Sequence, residues 1–313
     1  MRKVLPISAV VATRNRAASL SRTLESLLLQ ELLPAEFIVI DASVDDATKV
    51  ALTKFADRVG ATAAVHWFAA EVAGAASQRN EGVTRATQPF VWFFDDDVTF
   101  EPDCLHRLWS TIESDSKLGG VNAMIVNQRY QPPGTISRAM FTLMNSKRER
   151  TFAGRVIGPA INLLPEDRED SPEVVPVEWL NTTCTIYRRQ VLPNPPFDSF
   201  FTGYSLMEDV ALSTRVRQSG WNLANVRTAR IFHNSQPSSH KLDVAAAAAM
   251  ELLNRHYVMT QVLERRKSTD YLRLLGWEIF SILSTTTTSY GRRNLGSLIQ
   301  GKLKALRELR NNS

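Results

Sequence analysis

Phe90-Val91-Trp92-Phe93-Phe94-Asp95-Asp96-Asp97 is the stretch that decides how this chain folds. Five consecutive apolar residues, aromatic or β-branched, predict a buried strand. The strand runs straight into three adjacent carboxylates, so a buried element delivers a polar cluster to its own carboxyl end.

The residues upstream supply the frame around that strand. Residues 6–12 (Pro-Ile-Ser-Ala-Val-Val-Ala) read as a first buried strand. Ser19 or Ser21 then opens a helix through Leu24, Leu27 and Leu28. Phe37–Ile40 predicts a second strand ending at Asp41, 46–58 a helix, Ala63–Phe68 a third strand, and Gly74–Thr87 a helix closed by Pro89. Strand and helix alternate four times, which predicts an α/β fold with a parallel sheet flanked by helices. In such sheets ligands bind beyond the carboxyl ends of the strands. Thr13-Arg14-Asn15, Asp41 and the aspartates all fall there.

Downstream the pattern loosens. Residues 145–178 are rich in charge, Gly and Pro, and read as a long surface loop, mobile or facing an acceptor. Trp179–Tyr187 looks strand-like, Asp209–Gln218 helical with Gly220 closing it, and Arg230–His233 a last short strand. From Leu242 onward the chain reads as helical, with Ala245–Ala249 strongly helix-favouring.

Length and charge agree with this division. The 313 residues suit one large domain or two of about 150 residues. Hydrophobic residues at 44% and charged ones at 22% fit a globular protein. The net charge of +5 belongs to the end of the chain: residues 241–313 hold 12 Lys+Arg against 6 Asp+Glu. A basic tail favours a polyanion such as an anionic membrane surface or nucleic acid. Cys104 and Cys184 form no Cys-x-x-Cys pair and read as two free thiols in a reduced compartment. Arg2-Lys3 and the apolar run to Ala12 mimic a signal peptide, but Thr13-Arg14-Asn15-Arg16 is a poor cleavage region. No window reaches the roughly 20 apolar residues of a membrane span.

Three carboxylates at the mouth of a buried strand repel one another unless a cation is present. A divalent metal removes that cost and offers a pole for diphosphate oxygens. A turn or helix start would also accept aspartates. The string resembles a Walker B strand too, yet no P-loop precedes it. Gly296–Lys302 matches the P-loop spacing only up to Leu303, where Ser or Thr is required.

Five pieces, in order, resemble the inverting family 2 glycosyltransferases of GT-A fold. They are Val10–Arg16, Ile38–Asp45, Gly74–Gly82, Phe93–Asp97 and Met207–Leu212, so the resemblance covers about residues 6–235. It implies a Rossmann-like GT-A domain over 1–240, with a nucleotide-binding half (1–120) and an acceptor-binding half (121–240), followed by a basic helical region over 241–313. It implies that Thr13, Arg14, Asn15, Asp41, Arg79, Asp95 and Asp96 line the nucleotide site, and that Asp97, Asp95 and His233 ligate Mn2+ or Mg2+. Asp209 would be the base that takes the acceptor proton, with Glu208 orienting it. Trp179, Asn181 and Thr182 fall where the acceptor site lies in the family. Each has a plainer reading: Thr13 as a cap, Arg79 as a solvated charge, His233 as structural, Trp179 as core, Glu208-Asp209 as an acidic helix start. Where many members carry two aspartates after the second strand, this chain has Ile40-Asp41.

The expected activity is inverting transfer from a UDP-, dTDP- or GDP-sugar to a hydroxyl of a glycan or lipid-linked acceptor in bacterial surface-polysaccharide synthesis. The expected location is cytoplasmic, peripheral on the inner face of the membrane. Trp277, Phe280 and Leu283, with Arg273, Arg292, Arg293, Lys302, Lys304, Arg307 and Arg310, suit an interfacial helix and a basic segment; core packing is the alternative. No nucleic-acid partner is expected. The rival readings are a non-catalytic nucleotide-sugar-binding protein and a metal-dependent phosphohydrolase.

Overall fold

The computed structural model describes residues 2–235 and 243–311. They group into two compact units, one of residues 2–130 and 164–235, the other of 131–163 and 243–311. The boundary expected at 240/241 and the helix start expected at Leu242 lie outside the described residues; the helix is described from Val244.

In the first unit the expected alternation is present: β1 (Lys3–Thr13), α1 (Ala17–Leu27), β2 (Leu32–Asp41), α2 (Ala47–Val59), β3 (Ala64–Ala69), α3 (Ala75–Arg85) and β4 (Phe90–Phe94). They build a parallel run β3-β2-β1-β4. Next come β5 (Val98–Phe100), α4 (Cys104–Ser114) and β6 (Leu118–Ile125). The strand after Trp179 begins only at Cys184, as β10 (Cys184–Arg188), and enters antiparallel between β4 and β6. After α6 (Glu208–Gln218), β11 spans Asn222–His233, far longer than the four residues expected. A register shift between Val226 and Arg230, together with polar Asn222, Asn225 and Arg227, breaks the alternation that marks a strand in sequence. β9 (Val174–Val177) adds an antiparallel edge to β11, completing a nine-stranded α/β sheet.

The core lies on the sheet faces: Phe37, Val39, Trp92, Phe94, Leu108 and Ile186 are buried together. Helix α3 lies against β1 because residue 82 is glycine; a Cβ there would come within 2.3 Å of Val10 Cγ1. Cys104 and Cys184 are free and buried.

The second unit corrects the reading of 145–178 as a surface loop. Helix α5 (Thr135–Asn145) leads into a hairpin of β7 (Val156–Ile157) and β8 (Ile161–Asn162). Met144, Phe152, Ile157 and Ile161 form a buried cluster with Phe141 and Trp277 against it. The charges at 147–150 and 166–170 dominate the composition, and strands of two residues leave no period to detect. The remainder is α7 (Val244–Tyr257), a π-helical turn (Val258–Val262), α8 (Ser268–Thr285) and α9 (Ser289–Asn311).

Candidate functional site: an acidic cluster at the carboxyl edge of the sheet

Strand register brings the predicted residues of the first unit together. Thr13 pairs with Asp41 at the ends of β1 and β2. Gln78 clamps those ends, its Nε2 donating to the carbonyls of Thr13 (2.9 Å) and Ile40 (2.7 Å). The triplet follows β4, and its last residue, Asp97, precedes β5. Because β5 pairs with the end of β11, with His233 opposite Val98, the imidazole lies beside Asp97. The Nε2–Oδ1 distance is 3.0 Å. Gln128 Nε2 stands 3.2 Å from the other ring nitrogen, Nδ1.

Each aspartate of the triplet has a different surrounding. Asp95 Oδ1 accepts from Arg79 Nη2 at 2.9 Å, and Arg79 Nη1 donates to Glu208 at 2.9 Å. One buried guanidinium thus ties the triplet to the first residue of α6. Asp96 is buried and accepts from Thr13 Oγ1 (2.6 Å) and Arg16 Nη1 (3.2 Å). Asp97 faces Arg16 at 3.4 Å as well as His233.

The electrostatics follow from crowding. Among the described residues, Asp95, Asp96, Asp97, Glu208 and Asp209 face the guanidinium groups of Arg16 and Arg79, a net of −3 for these seven groups when all are ionised. Two like charges 4 Å apart repel by about 4 kcal/mol at an effective dielectric of about 20. Burial and the neighbouring Asp97 and Asp95 charges push Asp96 up to about 6, despite Thr13 and Arg16. Burial and Asp209 raise Glu208, while burial and Asp95 raise Asp209 to about 6. Burial opposes the charge of Arg79, yet Asp95 and Glu208 outweigh it, and the group stays cationic.

The donor set fits a divalent metal. Ligand atoms of Asp95, Asp97 and His233 lie within 4.8 Å of one another. Two carboxylates and an imidazole with one ring nitrogen toward Asp97 are the chemistry that borderline divalent cations accept. Local excess negative charge supplies the attraction.

A family model for glycosyl transferase family 2 matches residues 8–161, the span that carries the nucleotide-side motifs. The chain carries a glycosyltransferase family 2 domain. It is a glycosyl-transferring enzyme with the GT-A architecture. It is 26% identical over 317 aligned positions to the N-acetylglucosaminyl-diphospho-decaprenol L-rhamnosyltransferase of Mycobacterium tuberculosis strain CDC 1551, covering 97% of this chain and 98% of that protein. In fold it is similar to the mannosyltransferase PcManGT from Pyrobaculum calidifontis, solved with GDP-Man and Mn2+, at 15% identity and TM-score 0.58, covering 98% of this chain and 88% of that one. It is also similar in fold to GalNAc-T7, solved with UDP, GalNAc and Mn2+, at 16% identity and TM-score 0.54, covering 82% of this chain and 47% of that one.

Not every predicted residue of this glycosyltransferase reaches the cluster. Arg14 is exposed. Asn15, at φ 54°, joins the two loops that follow β1 and β2: its amide donates to Ser43 Oγ (2.7 Å) and its Oδ1 accepts from Val44 (3.1 Å). Asp41 is buried and accepts from the Ser43 amide (2.9 Å) and Trp67 Nε1 (3.1 Å). Trp179, Asn181 and Thr182 are buried in the loop before β10, and Asn181 Oδ1 has no hydrogen-bond partner. Asp209 is half-buried at the start of α6, which follows left-handed Met207.

Sequence reasoning passed over Arg16, Gln78 and Gln128. Arg16 and Gln78 lie inside quoted motifs, but nothing in spacing says that their side chains turn toward the strand ends. Tyr204, half-exposed three residues before the end of the loop, feels Asp95, Glu208 and Asp97, which add to burial in raising its phenol.

Proposed function

We propose that the enzyme inverts the anomeric centre of a sugar carried on a nucleoside diphosphate, passing it to a hydroxyl of a lipid-linked glycan in bacterial surface-polysaccharide synthesis. The observation that carries the reading is the bridge Asp95–Arg79–Glu208, which couples the acidic triplet to the helix that begins Glu208-Asp209. Asp209 takes the proton of the acceptor hydroxyl while its oxygen bonds to the anomeric carbon from the face opposite the leaving group. The bond from that carbon to the diphosphate breaks, and its electron pair leaves with the nucleoside diphosphate. Glu208, paired to Arg79, fixes the start of α6. Thr13, Asn15 and Asp41 line the nucleotide side and Arg14 is within reach of it; Trp179, Asn181 and Thr182 frame the acceptor side. Asp95, Asp97 and His233 would hold Mn2+ or Mg2+, which would neutralise charge on the diphosphate.

The named acceptor of the mycobacterial relative supports a polyprenyl-diphosphate-linked amino sugar, and its L-rhamnosyl group is the first donor sugar to try. The proposed location is the cytoplasmic face of the membrane, with the C-terminal region in peripheral contact. The test is nucleoside diphosphate release from UDP-, dTDP- and GDP-sugars with Mn2+ and a lipid-linked acceptor. Acceptor-dependent release supports the transferase. Phosphate release without acceptor would favour a phosphohydrolase, and donor binding with no product from any acceptor a binding protein.

A further inference from the structure

Helix α8 in the second unit buries two carboxylates and leaves a strip of aliphatic side chains exposed. Its inward side holds Leu274 in the apolar core together with Asp270 and Glu278, 9% and 7% exposed. Glu278 meets Lys302 of α9 at 2.7 Å and Arg255 of α7 at 3.4 Å, and both of those cations are buried. Its outward side carries Leu272, Leu275, Ile279 and Leu283, 66%, 53%, 50% and 61% exposed. Spacings of three, four and four put these four side chains on one strip. A helix selected for water alone places charge outside and leucine inside. This one buries Leu274 but also two carboxylates, each beside a cation, and leaves four aliphatic side chains outside.

Helix α5, which buries Met144, also leaves apolar side chains exposed. Phe141 packs against Trp277 at a tilt, with ring centroids 6.1 Å apart, so the two helices are neighbours. Ile136 and Leu143, two turns apart, are 77% and 62% exposed. Exposed Arg138, Lys147, Arg148 and Arg150 belong to α5 and the turn after it, and exposed Arg292 and Arg293 begin α9. Residues 131–163 and 243–311 hold 16 Lys+Arg against 7 Asp+Glu, a net of +9. Residues 2–130 and 164–235 hold 20 against 25, a net of −5. No helix among the described residues is long and apolar enough to cross a membrane.

We infer that the outward strip of α8, with α5 and the basic residues around them, is a docking surface for an anionic lipid bilayer. The leucines enter the boundary between headgroups and acyl chains, and the arginines and lysines meet the headgroup charge. A second copy of the chain is the poorer occupant, because two faces of like charge repel. The inference draws its purpose from the lipid-linked acceptor proposed above, but it is argued from the second unit alone. It extends the contact from the C-terminal helices to an internal segment, and it corrects the role of Lys302, which is buried and structural.

The test floats the full-length protein with vesicles of phosphatidylcholine, with and without phosphatidylglycerol. Flotation with the phosphatidylglycerol vesicles, reversed by salt, is the expected result. Leu275→Glu combined with Ile279→Glu weakens vesicle affinity by about tenfold or more, with the melting temperature and turnover of a water-soluble acceptor unchanged. Arg148→Glu with Arg150→Glu, in an exposed turn, gives a second route to the same loss. No flotation, or equal flotation with both vesicle types, overturns the inference. A wild-type dimer that the Leu275/Ile279 variant splits overturns it as well, since a second copy would then be the occupant. Absent turnover with intact flotation would instead remove the transferase reading and leave the surface standing.

Discussion

Two clusters of buried charge differ in their balance, and the difference separates chemistry from architecture. In the second unit, Glu251 and Glu278 face Arg255 and Lys302, so the charges cancel. Burial works to raise Glu251, but Arg255 and Lys302 outweigh it and the carboxyl lies below its ordinary value. At the sheet edge, five carboxylates share two arginines among the described residues, and burial raises Asp96, Glu208 and Asp209. A balanced cluster is complete as folded. An unbalanced one is costly until a cation or a proton joins it, which is what an active site needs.

The largest effect should come from Asp209→Asn. Loss of the proposed general base is expected to lower kcat by about a thousandfold, while donor affinity, read by calorimetry with Mn2+, stays within about threefold. Full transfer by this variant would remove Asp209 from its role and make the imbalance at the sheet edge a matter of metal affinity alone.

Stability should respond with opposite signs in the two clusters. Lys302→Met leaves Glu278 with half its partners and is expected to cost about 3 kcal/mol. In EDTA, Asp97→Asn relieves repulsion and is expected to stabilise by about 1 kcal/mol, although it weakens Mn2+ binding. Melting temperatures of the two variants measure both. Destabilisation by both would mean that the sheet-edge charges are as well compensated as those of the helices.

The pH response sharpens the same contrast. A base must be deprotonated, so if Asp209, raised to about 6, holds the role proposed for it, transfer should fall as pH drops below that value, about tenfold per unit. Folding should show the reverse dependence there: raised carboxyls bind more protons in the folded state, so their contribution is present in acid and lost as pH rises through about 6. Glu251, depressed by its cations, contributes above its ordinary pKa and loses that contribution on acidification. Melting curves in EDTA across this range, for wild type and Glu251→Gln, separate the two clusters.

The first hundred residues were legible because their structure is local. Apolar runs such as Phe90–Phe94 announce buried strands, and the α/β alternation sets the edge where polar residues gather. His233 was legible as a candidate only through family resemblance, since a pairing of β5 with β11 brings it to Asp97 across more than a hundred residues. Residues 131–163 were not legible: Phe152, Ile157 and Ile161 are buried by helices from the far end of the chain, and no local period records that. Glu278 looked like an interruption of an apolar face, when it is a buried charge paired with Lys302 and Arg255. Sequence reports composition along a helix more readily than which side faces in.

The smallest expected effect belongs to Arg16, the residue that belongs to both views of the sheet-edge cluster. Its guanidinium lies 3.2 Å from Asp96 and 3.4 Å from Asp97, with 29% of the side chain exposed. It therefore offsets negative charge in the absence of a donor, yet remains open to a diphosphate. Arg16→Gln deepens the charge deficit from −3 to −4, so Mn2+ alone should bind about threefold more tightly, measured by calorimetry. The KM for the nucleotide sugar should rise by about threefold to tenfold in the same variant, because a charged donor to its diphosphate is lost. Shifts of opposite sign place Arg16 between cation and donor. If both affinities weaken together, the guanidinium is a brace that holds the aspartates in position, and the sheet-edge cluster is organised more like that of the helices than its charge implies.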